Sequence, residues 1–183
     1  MGPRRQALTV PLPNSPWRLY FRRAEFGDVP RLRGWEQADH VSCVMGTDPG
    51  WQWETELAVQ WQEVWICEVD GCPIGVVVVL DAESEPTRYW GEVSPGTFAI
   101  DIWIGEPDAL RRGYGTAMMT HAIERAFVDH HAHTILIDPL VTNLGAITFH
   151  RRLGLTDVGE LRLGNDDCLV LRIERHDWTR PGK

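Results

Sequence analysis

A strand that runs into a loop with two closely spaced glycines is the feature that most constrains this chain. Residues 98–105 alternate as a strand does, helical spacing begins at Tyr114, and Gly113 and Gly115 mark the junction. Two glycines let a backbone wrap closely, and the first N–H groups of a helix suit a pyrophosphate. The spacing is neither that of a Walker loop nor G-x-G-x-x-G. Taken alone, the segment predicts either a tight turn or a phosphate cradle.

Net charge narrows the range of partners. The 183 residues include 18 basic and 26 acidic side chains, for a formal net charge of -8. Such a surface as a whole repels nucleic acid and anionic lipid. The length is typical of one domain with a full core. We therefore expect no nucleic-acid partner and no membrane partner, and we expect cationic or neutral small molecules as ligands.

The apolar runs and the cysteines predict a cytoplasmic protein without a metal. The longest apolar run, residues 74–80, is far shorter than the ~20 residues that cross a bilayer, and the N-terminus has no apolar secretion-signal core. An Asp-Gly turn at 70–71 would place Cys67 opposite Ile74, out of register for a bridge to Cys72. We expect four buried free thiols, and neither cysteines nor histidines have the spacing of a metal site.

The order of elements predicts one domain that combines helices with a mixed sheet, an α/β or α+β fold. We expect an irregular N-terminal tail over 1–17, a single domain over 18–178 and a C-terminal tail over 179–183. Loops are expected over 41–51 and 81–97. The predicted strands are 18–22, 65–69, 74–80, 98–105, 134–138 and 168–173, and the predicted helices lie near 28–35, 53–64, 114–129 and 143–152.

Two motifs are similar to signatures of the GNAT N-acetyltransferase superfamily. Residues 110–117, Leu-Arg-Arg-Gly-Tyr-Gly-Thr-Ala, resemble its acyl-CoA pyrophosphate loop, Gln/Arg-x-x-Gly-x-Gly/Ala. Residues 138–155, with Asn143 and Ala146, resemble its second signature, Asn-x-x-Ala-x-x-x-Tyr-x-x-x-Gly-Phe. The resemblance covers residues 18–175. It implies the GNAT fold, a mixed and mostly antiparallel sheet in which two parallel neighbouring strands splay apart, flanked by helices.

Within that superfamily the chain looks most like aminoglycoside 6'-N-acetyltransferases, on residues 94–96, 100–101, 138–139 and Asn143. This resemblance implies acetyl transfer from acetyl-CoA to the 6'-amine of a polycationic aminoglycoside, with antibiotic resistance as the role, by a monomer or homodimer. A related branch that acylates siderophore precursors more often has histidine where this chain has Asp101. Two alternatives stay open: another amine (a siderophore hydroxylysine precursor, a polyamine or a protein N-terminus), or a non-catalytic acyl-CoA-binding module.

The resemblance also implies a role for each matched residue. Asp101 acts on the amine, Asp138 holds a cationic part of the substrate, and His150 stands where many members have a proton-donating tyrosine. The residues expected to bind the coenzyme are Ile102, Trp103, Ile104, Leu110, Arg111, Arg112, Gly113, Tyr114, Gly115, Thr116, Asn143 (which is expected either to contact the pantetheine or to cap a helix) and Ala146. The further residues expected to bind the acceptor are Tyr89, Trp90, Glu92 and Trp53.

Physical chemistry supports the role of Asp101 independently. A carboxylate in mid-strand between Ile100 and Ile102 is costly to bury without a partner. An ammonium substrate would supply that partner, and the carboxylate would then accept its proton. The alternative is a structural aspartate bonded to a backbone N–H or to an arginine.

Two other features leave two interpretations each. His150 is either the acid that protonates the departing thiolate, helped by a positive imidazolium, or a helix-face histidine with a structural hydrogen bond. The aromatic residues near 51–53 and 89–90 either stack on the substrate and hold its cations or anchor their loops.

Overall fold

A computed structural model describes residues 8–11, 18–47 and 50–180. Within them the chain forms one eight-stranded sheet and five α-helices. The strands are β1 (Leu8–Pro11), β2 (Arg18–Arg23), β3 (Gln62–Val69), β4 (Cys72–Asp81), β5 (Thr97–Ile104), β6 (Thr134–Ile137), β7 (Thr156–Leu163) and β8 (Asp166–Glu174). The helices are α1 (Val29–Glu36), α2 (Asp39–Ser42), α3 (Trp53–Glu56), α4 (Tyr114–Val128) and α5 (Leu144–Arg152).

The sheet has the strand order β1-β2-β3-β4-β5-β6-β8-β7, and every neighbouring pair is antiparallel except β5 and β6. That parallel pairing consists of three residue pairs, from Thr97–Thr134 to Ala99–Leu136, although β5 continues to Ile104. The two strands therefore part beyond Ala99. This confirms the predicted mixed sheet with two splayed parallel neighbours.

Helices cover both faces of the sheet, so its central strands bury side chains on both sides. On one face α4 packs through residues such as Met118. On the other face α1 and α3 pack through Trp35 and Trp53. The unbroken aliphatic run of β4 is buried on both faces, as predicted. Along β5 the α4 face takes Phe98, Ile100, Ile102 and Ile104, and the opposite face takes Ala99, Asp101 and Trp103.

The glycine loop leads into α4 where the sequence places it. α4 begins at Tyr114 and ends at Val128, one residue before the predicted end. Gly113 precedes the helix with φ of 83°, and Arg111 has φ of 60°. Both values lie in the left-handed region, which glycine adopts without strain and other residues rarely adopt. The loop thus turns sharply before the helix begins.

The sequence predicts a helix over 53–64, and this prediction is wrong. The single turn α3 ends at Glu56, and β3 begins at Gln62. Val64 lies in this strand and packs in the same core as Ile66. Apolar residues at 57, 61 and 64 fit a helical spacing, but the last of them also begins a strand alternation, and tertiary pairing with β2 and β4 selects the strand.

The edges of the sheet hold two elements that the predictions lack. β1 lies inside segment 1–17, which is predicted to be irregular, and it pairs with β2. The other residues of that segment lie outside the described ones. β7 precedes the predicted last strand and pairs with it as β8. α2 also ends inside the predicted loop 41–51. No helix in the described part of the chain has the length and apolarity needed to span a membrane.

The Asp-Gly hairpin is confirmed, but its register differs by one bulge. Val69 pairs with Cys72 as predicted, whereas Cys67 pairs with Gly75 rather than Ile74 because the register shifts after Cys67. All four cysteines are free thiols, as predicted. Two of them, Cys43 and Cys72, are exposed rather than buried.

Candidate active site

The gap between β5 and β6 opens into a cavity of about 450 Å³. β5 contributes Asp101 and Trp103 beyond its last residue paired with β6, and Asp138 follows the end of β6 directly. His150 on α5 lines the cavity as well. The fold therefore brings both predicted catalytic residues and the predicted substrate-binding aspartate to one cavity.

Asp101 carries a half-buried carboxylate without a compensating charge. Among the described residues, no hydrogen-bond donor and no cation contacts its side chain. Burial, and secondarily the negative charge of Asp138, raise the pKa of Asp101 to about 7. The alternative of a structural aspartate bonded to an arginine or a backbone N–H is therefore not what the structure contains.

Asp138 is held by the loop that carries the predicted aromatic residues. The Trp90 Nε1–H donates to Asp138 Oδ1 at 3.3 Å. Tyr89 packs against Trp90 edge to face, with ring centroids 4.8 Å apart. All three side chains line the cavity. The pair Tyr89–Trp90 thus contributes both an apolar wall and the orientation of an acidic group.

His150 is buried, with 5% of its surface exposed. Within the described structure its Nδ1 has no hydrogen-bond partner, and its ring lies edge to face with Phe149 at 5.0 Å. Burial lowers the pKa of His150 to about 4. The ring is therefore neutral at pH 7, so the positive imidazolium expected beside the sulfur does not form there.

The start of α4 is open to an anion. Arg111 and Arg112 are exposed, and neither has an ion-pair partner in the part of the chain that the structure describes. The first turn-closing bond of α4 runs from Ala117 N–H to Gly113 O at 3.3 Å, so the N–H groups before it have no partner within the helix. Exposed cations and free N–H groups at a helix N-terminus are what a pyrophosphate requires.

This loop lies beside the cavity rather than in its wall. A Cβ placed on Gly115 would stand 3.8 Å from Phe149 Cζ and 3.9 Å from Ile104 Cδ1. The beginning of α4 therefore packs against both the end of β5 and α5, two elements that contribute residues to the cavity. A long ligand that crosses from the loop into the cavity is compatible with this arrangement.

The other residues expected to bind the coenzyme differ in what they offer. Asn143 lines the cavity and also caps α5, because its Oδ1 accepts the Ala146 N–H at 3.1 Å. The side chain of Tyr114 is buried in the core, so only its backbone faces the loop. The carbonyl oxygen of Ile104 is 3.0 Å from His40 Nε2. Of the remaining positions, Ile102, Trp103 and Ala146 line the cavity, whereas Leu110 and Thr116 are exposed and do not line it.

Two residues expected to bind the acceptor do not reach the cavity. Glu92 is exposed and lies 3.7 Å from Arg88 in an ion pair. Trp53 is fully buried and stacks on Trp51, with ring centroids 5.2 Å apart. Trp53 therefore anchors the wall from behind, and Trp51 is the member of that pair that lines the cavity.

Several polar residues of the cavity are absent from the predictions. Gln62, Glu56, Glu85 and Asp166 all line it. They come from four separate elements, so no local motif joins them. Only Gln62 carries a signal in the sequence, because strand alternation from Val64 turns a polar side chain toward a buried face.

Comparisons with known proteins agree with this architecture. Residues 26–163 match the family model described as an acetyltransferase (GNAT) domain. Two curated relatives, from Klebsiella pneumoniae and Serratia marcescens, are both named aminoglycoside N(6')-acetyltransferase type 1. Each is 26% identical over 117 residues, which are 63% of this chain. The matched segment spans 58% of the length of those relatives.

Solved structures share the fold at lower identity. A structure of the aminoglycoside acetyltransferase AAC(6')-Ib in complex with coenzyme A has a TM-score of 0.79 and 23% identity, with 90% of this chain and 99% of that chain covered. A spermidine N-acetyltransferase from Vibrio cholerae, in complex with CoA and spermine, has a TM-score of 0.70 and 16% identity, with 87% and 96% covered. Because the family model covers more than half of the sequence, this chain belongs to the GNAT acetyltransferase family.

Proposed function

We propose that this protein transfers an acetyl group from acetyl-CoA to a primary amine of a polycationic small molecule, the 6'-amine of an aminoglycoside. The observation that carries the proposal is the uncompensated carboxylate of Asp101, which faces Asp138 where β5 and β6 part. The uncompensated charge of Asp101, next to the second negative charge of Asp138, favours a cationic ligand. The names of the curated relatives favour an aminoglycoside among such ligands.

The residues around the gap fit acetyl-CoA. The start of α4, with Gly113 and the exposed Arg111 and Arg112, would hold its pyrophosphate. The backbone of β5 beyond Ala99 is not paired with β6 and is left to bind the pantetheine arm. When bound, the thioester supplies an activated acetyl group.

Asp101 is suited to hold and then deprotonate the amine. Its carboxylate attracts an ammonium group, and its raised pKa makes it a stronger base than an ordinary aspartate. Asp138 would hold a further cationic part of the substrate beside the Tyr89–Trp90 wall. Positioning both reactants in one cavity supplies further rate through proximity.

His150 is proposed to donate a hydrogen bond to the departing sulfur in its neutral form, because a neutral ring that gave up its proton would become an imidazolate, a much stronger base than a thiolate. Burial keeps the ring neutral above its lowered pKa of about 4. A neutral ring carries one N–H, and no protein acceptor within the described residues engages Nδ1. The alternative of a structural hydrogen bond at this nitrogen thus has no support there.

A second candidate acceptor is a linear polyamine. The cavity is acidic at several points, and one structural neighbour is a spermidine acetyltransferase, although 16% identity shows only a shared fold. A siderophore precursor, a protein N-terminus and a non-catalytic acyl-CoA-binding module have no comparable observation in their favour. A cytoplasmic location, a resistance role, a monomeric or homodimeric state and a single domain over 18–178 remain predictions from the sequence.

Turnover tests the proposal directly. Release of coenzyme A is followed with acetyl-CoA against an aminoglycoside panel, linear polyamines and simple monoamines. We expect aminoglycosides with a free 6'-amine to be acetylated and those without it to be poor substrates. Acetylation of polyamines alone would move the assignment to the second candidate. Coenzyme binding without turnover on any amine would leave only a binding module.

A further inference from the structure

A second pair of carboxylates lies in the cavity and has no part in the proposed transfer. Glu56 ends α3, Glu85 lies in the 82–96 loop, and both line the cavity together with Gln62 at the start of β3. These three residues are called the distal cluster below. Burial, and then the charge of Glu85, raise the pKa of Glu56, so the two carboxylates are close enough to repel each other.

Gln62 contributes a hydrogen-bond acceptor that the protein leaves unused. Its Nε2 donates to Glu56 Oε2 at 2.7 Å and to the Glu56 carbonyl oxygen at 3.0 Å. Since both partners are acceptors, the amide must be oriented with its nitrogen toward Glu56. Its Oε1 then has no donor in the described part of the chain, although the residue is only 2% exposed. A buried amide oxygen without a donor is costly, which points to a ligand that donates.

The carboxylates of the distal cluster also lack a cation. Glu85 accepts hydrogen bonds from Thr87 N at 2.8 Å, from Thr87 Oγ1 at 2.9 Å and from Tyr89 N at 2.9 Å, all from neutral donors. Over the described ranges, neither Glu56 nor Glu85 takes part in an ion pair. Those ranges also contain no group of three side chains able to hold a metal ion. Two negative charges and a bare acceptor match an ammonium group.

We propose that the distal cluster is a second ammonium subsite, which makes the enzyme select amines that carry another ammonium group far from the one that is acetylated. The second ammonium would donate to Gln62 Oε1 and to the carboxylates of Glu56 and Glu85. This inference rests on the proposed function, because it assigns Asp101 to the reacting amine.

The sheet register sets the distance between the two subsites. Gln62 pairs with Leu80 on β4, and Leu80 pairs with Ala99 on β5, two residues before Asp101. Gln62 and Asp101 lie on the same face of the sheet, by alternation from Val64 and Ala99. Two strand spacings across and two residues along place their Cα atoms roughly 12 Å apart. A short diamine cannot span this distance, whereas a long or multi-ring amine can.

A chain-length series tests the subsite. KM is measured with acetyl-CoA for α,ω-diaminoalkanes of increasing length and for monoamines of matching length. In the wild-type protein we expect long diamines to have a KM about tenfold below that of their monoamines, with no such gain for short diamines. Glu56→Gln preserves shape and removes the charge, so it should abolish most of that gain.

The matched control is Glu83→Gln, the same charge change at an exposed position of the 82–96 loop, which also carries Glu85; Glu83 does not line the cavity. It should retain the full gain. Glu85→Gln is the second charge variant, and circular dichroism checks the fold of each. The proposal is overturned by a wild-type protein without preference for long diamines, or by a preference that survives in both folded variants.

Failure of the proposed function would look different. If no amine in either series is acetylated, calorimetric titration of a long diamine still measures the subsite without turnover. Binding to the wild-type protein that is weakened in Glu56→Gln and kept in Glu83→Gln would support the subsite. Equal binding by all three proteins would refute it.

Discussion

The two sides of the proposed active site, one for the coenzyme and one for the acceptor, are built in different ways. The coenzyme side, residues 110–116 with the start of α4, is one continuous segment that offers backbone N–H groups and two exposed arginines. The acceptor side collects carboxylates and aromatic rings from α3, β3, β5, the 82–96 loop and the end of β6. One side is local in sequence and the other depends on tertiary packing. A substitution on either side should therefore affect one substrate and leave the other.

Asp101→Asn should separate the two sides most strongly. The amide keeps the shape of the carboxylate but cannot accept a proton, so we expect turnover to fall about 10²–10⁴-fold. Coenzyme A affinity, measured by calorimetry, should be unchanged. If both quantities fell together, Asp101 would be holding the fold and not the amine.

Gly113→Ala should damage the coenzyme side alone. Gly113 has φ of 83° and no atom near the position of an added Cβ, so the change acts only through backbone strain. Strain of about 1–2 kcal/mol in the binding loop would weaken coenzyme A about tenfold, with KM for the amine unchanged.

The control for this loop is Gly71→Ala. Gly71 has φ of 80°, is equally open and lies in the β3–β4 hairpin. We expect Gly71→Ala to lower the melting temperature by an amount similar to that of Gly113→Ala and to leave coenzyme A affinity intact. Equal losses of affinity in the two variants would mean that strain anywhere disturbs the site.

His150→Phe should show how a neutral ring works at the border between the two sides. We expect turnover to fall by about tenfold through loss of a hydrogen-bond donor to the departing sulfur. Because the pKa of His150 is already lowered to about 4, the pH profile above pH 6 should keep its shape. Unchanged turnover would remove the residue from the reaction.

Asp138→Asn is expected to give the smallest effect, a shift in the pH dependence of kcat/KM that involves the acceptor side alone. In the proposed transfer Asp101 acts as an ionised base, so kcat/KM for the amine should rise as pH increases through about 7. The charge of Asp138 helps to raise the pKa of Asp101, so its removal should move that rise to lower pH. A pH–rate profile of both proteins measures the shift, and a rise at the same pH would mean that the two carboxylates do not interact.

The difference between the two sides also explains what the sequence could predict. Two contiguous motifs contain Gly113, Gly115 and Asn143, and the geometry of each motif depends on residues adjacent in sequence. Each of the three residues lies where it was expected. Asp101 was identifiable because a charge interrupts an apolar strand. Both signals act over a few residues.

The acceptor side was harder to predict from the sequence, because its geometry depends on contacts between residues that are far apart in the chain. Glu92 lies two residues after Trp90 in the sequence, but only Trp90 lines the cavity, whereas Glu92 is exposed and pairs with Arg88. Gln62 was assigned to a helix because a short apolar segment fits both periods. Once 62–69 is known to be a strand, the unusual inward glutamine becomes visible.

The parting of β5 and β6 has a thermodynamic consequence for the protein in a cell. The parallel ladder stops after three residue pairs. Beyond it, the backbone groups on this edge of β5 are not paired with β6. A ligand whose amide groups form hydrogen bonds with this edge would bind the native chain and not the unfolded one. Resistance to heat and proteolysis would then rise with the logarithm of the ligand concentration. The metabolic supply of that ligand would therefore also set the lifetime of the protein.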